Sequence, residues 1–393
     1  MYIDEASIQA KIDSFENLLL PWKDLWSAEP LSQVGFTYSD EIENFLDRFQ
    51  KLPLNAHYSG WLEAEVKKNF PQWKSLAEYS YLRPIHSFSK LRPFPKQKKM
   101  NQKKWHEIQS ILQLLIKQNE VPTHLYDCAG GQGLFSYEFL NQFECAKCTL
   151  IERNSYLTKI ASQQTAQFDH RLTLITEDLK KITFSNCCNG LWLGLHACGD
   201  LSDLLINEIP PTHRFYVIGC CYHQTKKSFP NFTNEALTLA ARAEGKLSYQ
   251  SLLERLRVKQ YRYGLELGLN QISGKKMSLV LKSFPSNLYH RSFADYLKEA
   301  ALRWKGEINL MDPEVSADLI DYQKSESFHK EFSRLFLLGL LRHFFARPLE
   351  VYLAYLRLFS LSQRYRQKVP DLTEIFQQEI SPRNILISNR LDI

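Results

Sequence analysis

"YDCAGGQGLFSY", Tyr126–Tyr137, is the stretch on which the fold turns. "HLYDCAG" reads as a strand and "LFSYEFLNQF" as a helix, with Gly130, Gly131 and Gly133 between them. A strand, a glycine turn and a helix start let backbone approach a nucleotide closely. The glycines remove Cβ atoms, and the helix N-terminus offers free N–H groups. Two patterns overlay the loop. Gly131-x-Gly133-x-x-Ser136 is a dinucleotide fingerprint with serine in the third glycine place. Asp127-x-Ala129-x-Gly131-x-Gly133 is an S-adenosylmethionine (SAM) loop with alanine in the first.

The carboxylates separate the two patterns. Asp127 stands directly ahead of the loop, where it would repel a pyrophosphate but suits the ammonium of SAM's amino-acid portion. Glu152 closes "KCTLIE", placed to accept both ribose hydroxyls, which marks a nucleoside without saying which. Asp178 closes "LTLITED", where it and Leu179 would meet adenine. Each acid alone could equally cap the next helix. Three at successive strand ends point to a ligand, because an open parallel sheet binds there. The expected SAM contacts are Asp127, Ala129, Gly130, Gly131, Gly133, Glu152, Asp178, Leu179 and His196. Ala129 fits this loop if its φ is negative, with Gly130 absorbing some of the turn.

Around the loop, strands alternate with helices. The helix "WHEIQSILQLLIKQ" precedes it; "SYLTKIASQQTAQF", "GLWLGLHACGD", "LSDLLINEI" and "FYVIGCCYH" follow the second strand. This spacing implies right-handed βαβ units and a mostly parallel, Rossmann-like α/β sheet. "VKQYRYGLELG" and "KKMSLVLKSF" read as extended runs that pair antiparallel at the sheet edge. Three regions are expected: 1–98, helical and ending in a basic linker; 99–288, the sheet domain; and 289–393, helical and packed on the sheet.

Bulk properties exclude little. The 393 residues carry a formal charge of +6, which permits an anionic partner without requiring one. No apolar run approaches the roughly 20 residues of a membrane span, and the first residues are too acidic for a signal peptide. A cytoplasmic location is expected. All eight cysteines fall between Cys128 and Cys221, in or near apolar runs, and most of them read as small reduced core residues. Cys145-x-x-Cys148 has no second pair at zinc-finger distance. From Tyr79 to His106 there is no acid, while Arg83, Lys90, Arg92, Lys96, Lys98, Lys99, Lys103 and Lys104 are interleaved with aromatic rings. This is a solvated linker, or a strip on which phosphates are neutralised and bases stack. On the second reading Lys98, Lys99, Lys103, Lys104 and His106 touch RNA.

Two further strand ends carry chemistry. "LHACGDLSD" offers His196, Cys198, Asp200 and Asp203; "GCCYHQ" offers Cys220, Cys221 and His223. In such a sheet the end of the fourth strand lies close to the transferable methyl. His196, Asp200 and His223 are candidate proton acceptors, and Cys198 and Cys221 candidate substrate contacts. Convergence on zinc is an alternative, although the spacing matches no standard finger, and no metal is expected. Plain packing beside the cofactor, with Asp200 and Ser202 capping the next helix, is another.

Together, Lys103-Lys104-x-His106-Glu107-Ile108, the Asp127 loop, "LHACGDLSD", "GCCYH" and "FFARPLEVYLAYLR" resemble the methyltransferase-like proteins also called ribosomal RNA adenine dimethylase domain-containing proteins. The two Cys/His clusters are also similar to motifs of the enzymes that 2′-O-methylate the tRNA acceptor stem. The resemblance implies a class I SAM-dependent methyltransferase acting on RNA, with His196, Cys198, Gly199, Cys220, Cys221 and His223 at its site. This chain has no zinc-finger motif ahead of the domain and no Asn/Asp-Pro-Pro-aromatic motif for methylating base amino groups.

Overall fold

The computed structural model describes residues 4–49, 59–85, 100–118, 121–243, 249–276, 281, 283–364 and 370–389. Seven strands form one sheet: β1 (His124–Cys128), β2 (Lys147–Ile151), β3 (Leu172–Ile175), β4 (Leu191–Ala197), β5 (Arg214–Gly219), β6 (Asp371–Glu374) and β7 (Ile385–Ser388). Their order is β3-β2-β1-β4-β5-β7-β6. β1 to β5 are parallel, and β7 runs antiparallel to both β5 and β6. Leu125, Trp192, Leu193, Phe215 and Val217 are fully buried, as expected of parallel strands covered on both faces. The order reverses between β1 and β4. Right-handed crossovers then leave the two strands toward opposite faces, and a crevice opens at their carboxyl ends.

The chain divides into two compact units. The first comprises Met1–Lys23, Lys74–Gly245 and Phe345–Ile393 and holds the sheet. Its core joins Ile108, Ile111 and Leu115 of the helix Gln102–Lys117 to Leu125, Phe139, Leu193 and Leu386. The helix Glu5–Leu19 meets the helix Ala346–Ser362 through Phe15, whose ring lies 5.9 Å from those of Tyr352 and Tyr355. The second unit, Asp24–Trp73 and Lys246–Phe344, has a core that includes Leu265, Leu269, Phe293, Tyr296 and Leu319.

Two expectations are corrected here. "VKQYRYGLELG" is not a strand but part of the helix Tyr249–Ser273. Its two glycines are close-approach points. A Cβ on Gly264 would lie 3.0 Å from Gln323 Cγ, and one on Gly268 would lie 2.6 Å from Leu319 Cδ2. The antiparallel edge pair exists, but β6 and β7 supply it from the tail expected to be all helical. Residues 277–280 and 282 of "KKMSLVLKSF" lie outside the described residues. Arg83, at the start of the basic segment, accepts through its carbonyl from Glu374 N at 3.1 Å, beside β6. No helix among the described residues is long and apolar enough to cross a membrane.

One ion pair ties the helix Ala346–Ser362 to the strand ends. Arg357 donates from Nε to Asp203 Oδ1 at 3.0 Å and from Nη2 to Asp203 Oδ2 at 3.1 Å, and its guanidinium lies over the Tyr222 ring. Both partners are buried. Truncating one leaves the other charge unpaired in the core, a loss of about 3–5 kcal/mol. Arg357→Ala should therefore lower the urea unfolding free energy by about that much, and a loss under about 1 kcal/mol would refute the assignment.

Candidate active site

The turn after β1 is tighter than the sequence implies. Ala129 has φ 55°, Gly131 59° and Gly133 76°. The expectation of a negative φ at Ala129 is overturned. An alanine in this left-handed region is strained by roughly 1–2 kcal/mol. Gly130 does not absorb that turn by a positive φ; it makes room instead. A Cβ there would sit 2.8 Å from Asp127 Oδ2 and 2.9 Å from Leu150 Cγ, so only glycine lets the loop close over the carboxylate. A Cβ on Gly131 would project into open space. Gly133 stands at the N-cap of the helix Leu134–Gln142.

The three strand-end acids differ. Asp127 is buried and accepts from Ser136 Oγ at 2.6 Å. Burial pushes its carboxyl above the usual range, and the Ser136 hydrogen bond and the Lys104 charge pull partly back. Glu152 accepts from Gly131 N at 3.1 Å and from Asn154 N at 2.9 Å, so it fastens the glycine loop to β2. Each of its oxygens keeps a second lone pair for a ribose hydroxyl. Asp178 caps the turn Leu179–Lys181 by accepting from Lys180 N at 3.0 Å, and Leu179 is buried. The open side of Gly131 and the Glu152 carboxylate together suit a nucleoside.

At the end of β4 the register shifts between Leu195 and Ala197, and His196 takes φ 63°. This turn aims its Nε2 at Glu107 Oε1, 2.9 Å away. Glu107 is 1 % exposed and also accepts from Ser381 Oγ at 2.7 Å, with Lys104 Nζ at 3.6 Å and Lys103 Nζ at 3.9 Å. Burial would raise its pKa, but the hydrogen bond and charge of His196, then Ser381 and Lys104, bring it down to about 2. Sequence reasoning passed over Glu107 as a site residue. The available signal was one acid among the apolar residues of "WHEIQSILQLLIK".

The other candidates are placed as follows. Asp200 accepts from Lys226 N at 2.6 Å and Lys180 Nζ at 3.4 Å. The Lys226 hydrogen bond leads in holding its pKa below the usual range, which makes it an anchor and a poor base. His223 is exposed in the turn Tyr222–Gln224. His106 Nε2 accepts from Gln377 N at 3.1 Å, and burial pushes its pKa down, so it is a neutral acceptor to the backbone. Lys103 and Lys104 lean toward Glu107. Lys98 and Lys99, with most of the basic strip, lie outside the described residues. Cys198 and Cys221 are brought together with Cys220: the Cys220 Sγ lies 2.8 Å from Cys198 Sγ and 3.5 Å from Cys221 Sγ.

Residues 103–228 match the sequence model of a family described as a methyltransferase domain. No curated protein matches. Three solved structures show the range of similarity. The plantazolicin methyltransferase BpumL, with a monoazolic desmethyl analogue and S-adenosylhomocysteine, is 11% identical over 50% of this chain and 69% of that one, TM-score 0.24. Coclaurine N-methyltransferase with N-methylheliamine and S-adenosylhomocysteine is 13% identical over 83% and 95%, TM-score 0.25. An O-methyltransferase family 2 protein from Planctomyces limnophilus with apigenin is 18% identical over 40% and 55%, TM-score 0.22. Scores this low leave the fold resting on strand order, loop and family match. Residues 103–228 are a SAM-dependent methyltransferase domain of the Rossmann-like class I kind, and SAM is the methyl donor.

Two outcomes are expected. Ala129→Gly relieves the left-handed strain and should raise the urea unfolding free energy by about 1 kcal/mol; a loss of stability would contradict the φ. Glu107 titrates at about 2 in the folded chain against the ordinary 4.5. A depressed carboxylate stabilises the fold fully above the unfolded value and loses that contribution as pH falls through the folded one. The stability gap between wild type and Glu107→Gln should therefore shrink as pH drops from 4.5 toward 2. A gap unchanged across that window would refute the pairing.

Proposed function

We propose that the chain methylates RNA on a hydroxyl group, with His196 as general base and Glu107 as its orienting carboxylate. The observation that carries this reading is the His196–Glu107 pair at the carboxyl end of β4, beside the crevice of the sheet. Bound SAM supplies an electrophilic sulfonium methyl. With Nε2–H donated to Glu107, the imidazole carries its lone pair on Nδ1. A proton taken there forms an imidazolium, which the ionised Glu107 stabilises. A hydroxyl gains more from such a base than an aromatic ring nitrogen does, because its proton must leave as the new bond forms. Lys103 and Lys104 bring positive charge to the same place. The acid-free run Tyr79–His106 supports an anionic acceptor.

The test is transfer of labelled methyl from SAM into fractionated cellular RNA and protein. Label should enter ribonuclease-sensitive material, and His196→Ala should slow transfer about 100-fold or more at saturating SAM. Label confined to protein or small molecules would overturn the RNA assignment. Unchanged turnover in His196→Ala would remove the base.

A further inference from the structure

We propose that Cys198, Cys220 and Cys221 form a binding site for one Zn²⁺ ion at the carboxyl ends of β4 and β5. This departs from the sequence-based expectation of no metal, and it does not depend on which acceptor the enzyme methylates. The three Sγ atoms all lie within 4.8 Å of one another. Zinc at about 2.3 Å from each sulfur requires sulfur–sulfur spacings of roughly 3.7 Å. The 2.8 Å and 3.5 Å separations at Cys220 reach that by small side-chain rotations.

The backbone is shaped to produce this convergence. Gly199 has φ 54°, and a Cβ on it would fall 2.6 Å from Gln224 O. The turn carrying Cys198 is thus pressed against the turn that follows Cys220 and Cys221. Both turns are hydrogen-bonded: Leu201 N donates to Cys198 O at 3.2 Å, and Gln224 N donates to Cys221 O at 2.9 Å. Cys220 is buried, and the other two are half-buried, so an ion could enter from solvent and then be shielded. Three sulfur donors select a thiophilic ion over Mg²⁺ or Ca²⁺. Three thiols and one Zn²⁺ give a zinc tris-thiolate and release three protons, leaving a fourth coordination position open. Among the described residues the convergent donors are the three thiols alone, without a nitrogen of His196. The His196 carbonyl, however, lies 3.9 Å from Cys220 Sγ, so the ion would stiffen the strand end that carries the base.

The competing product is a Cys198–Cys220 disulfide, which would leave Cys221 alone and consume an oxidant. The full chain, made without a metal-affinity tag and kept reduced, should contain about one zinc per molecule by plasma mass spectrometry. Cys198→Ser and Cys221→Ser should each lose most of it or weaken binding at least 100-fold in a chelator competition. Cys145→Ser, at an exposed cysteine outside the cluster, should keep it. Cobalt loaded into the wild-type chain should give a thiolate-to-metal charge-transfer band, which keeps the proposal testable if a variant fails to fold. Four results would overturn it: a wild-type chain that takes up neither zinc nor cobalt, zinc retained in Cys198→Ser, selective binding of copper(I), or a Cys198–Cys220 disulfide as the isolated state.

Discussion

A carboxylate in an apolar core must be paired, and around Glu107 that requirement organises the site. Leaving the charge without partners would cost several kcal/mol. The partners come from separate parts of the chain: His196 from the end of β4, Ser381 from the connection between β6 and β7, and Lys104 from the previous helical turn. One ion therefore draws together the helix before β1, the middle of the sheet and its antiparallel edge. The left-handed backbone of His196 is held by the same contact. Strain of this kind persists where the surroundings over-determine it.

Arginines from the helix Ala346–Ser362 repeat the principle. Arg357 grips Asp203, which also accepts from Thr225 Oγ1 at 2.9 Å. Arg347 bonds Glu350 at 2.7 Å and also pairs with Glu374 in β6. The loops after β4 and β5 are thus set by a segment more than a hundred residues away in sequence. Geometry at the strand ends depends on charge pairs that a linear scan of the catalytic region does not contain.

Much of the fold was legible because parallel strands write themselves as dense apolar runs between amphipathic helices. "HLYDCAG", "KCTLIE", "GLWLGLHACGD" and "FYVIGCCYH" all fall on strands. The failures have local causes. "VKQYRYGLELG" alternates like a strand, yet its glycines serve contacts to residues some fifty positions away, which periodicity cannot register. β6 and β7 are four residues each and partly polar, too short to show a period. Within the site, the glycine loop was recognised, but the φ of Ala129 was not, because sequence reports side chains and not backbone angles. Glu107 stayed hidden because its meaning lies in a contact made across 89 residues.

The position of β7 has a consequence in time. It is inserted between β5 and β6, and β5 is complete by Gly219 whereas β7 begins only at Ile385. During synthesis, β5 must wait for well over a hundred further residues with one backbone edge unpaired. Such an edge is a template for pairing with another chain, and the long sequence separation makes closure slow. Nascent chains of this protein are accordingly most exposed to misassembly late in translation, and a chaperone that shields β5 would act in that interval.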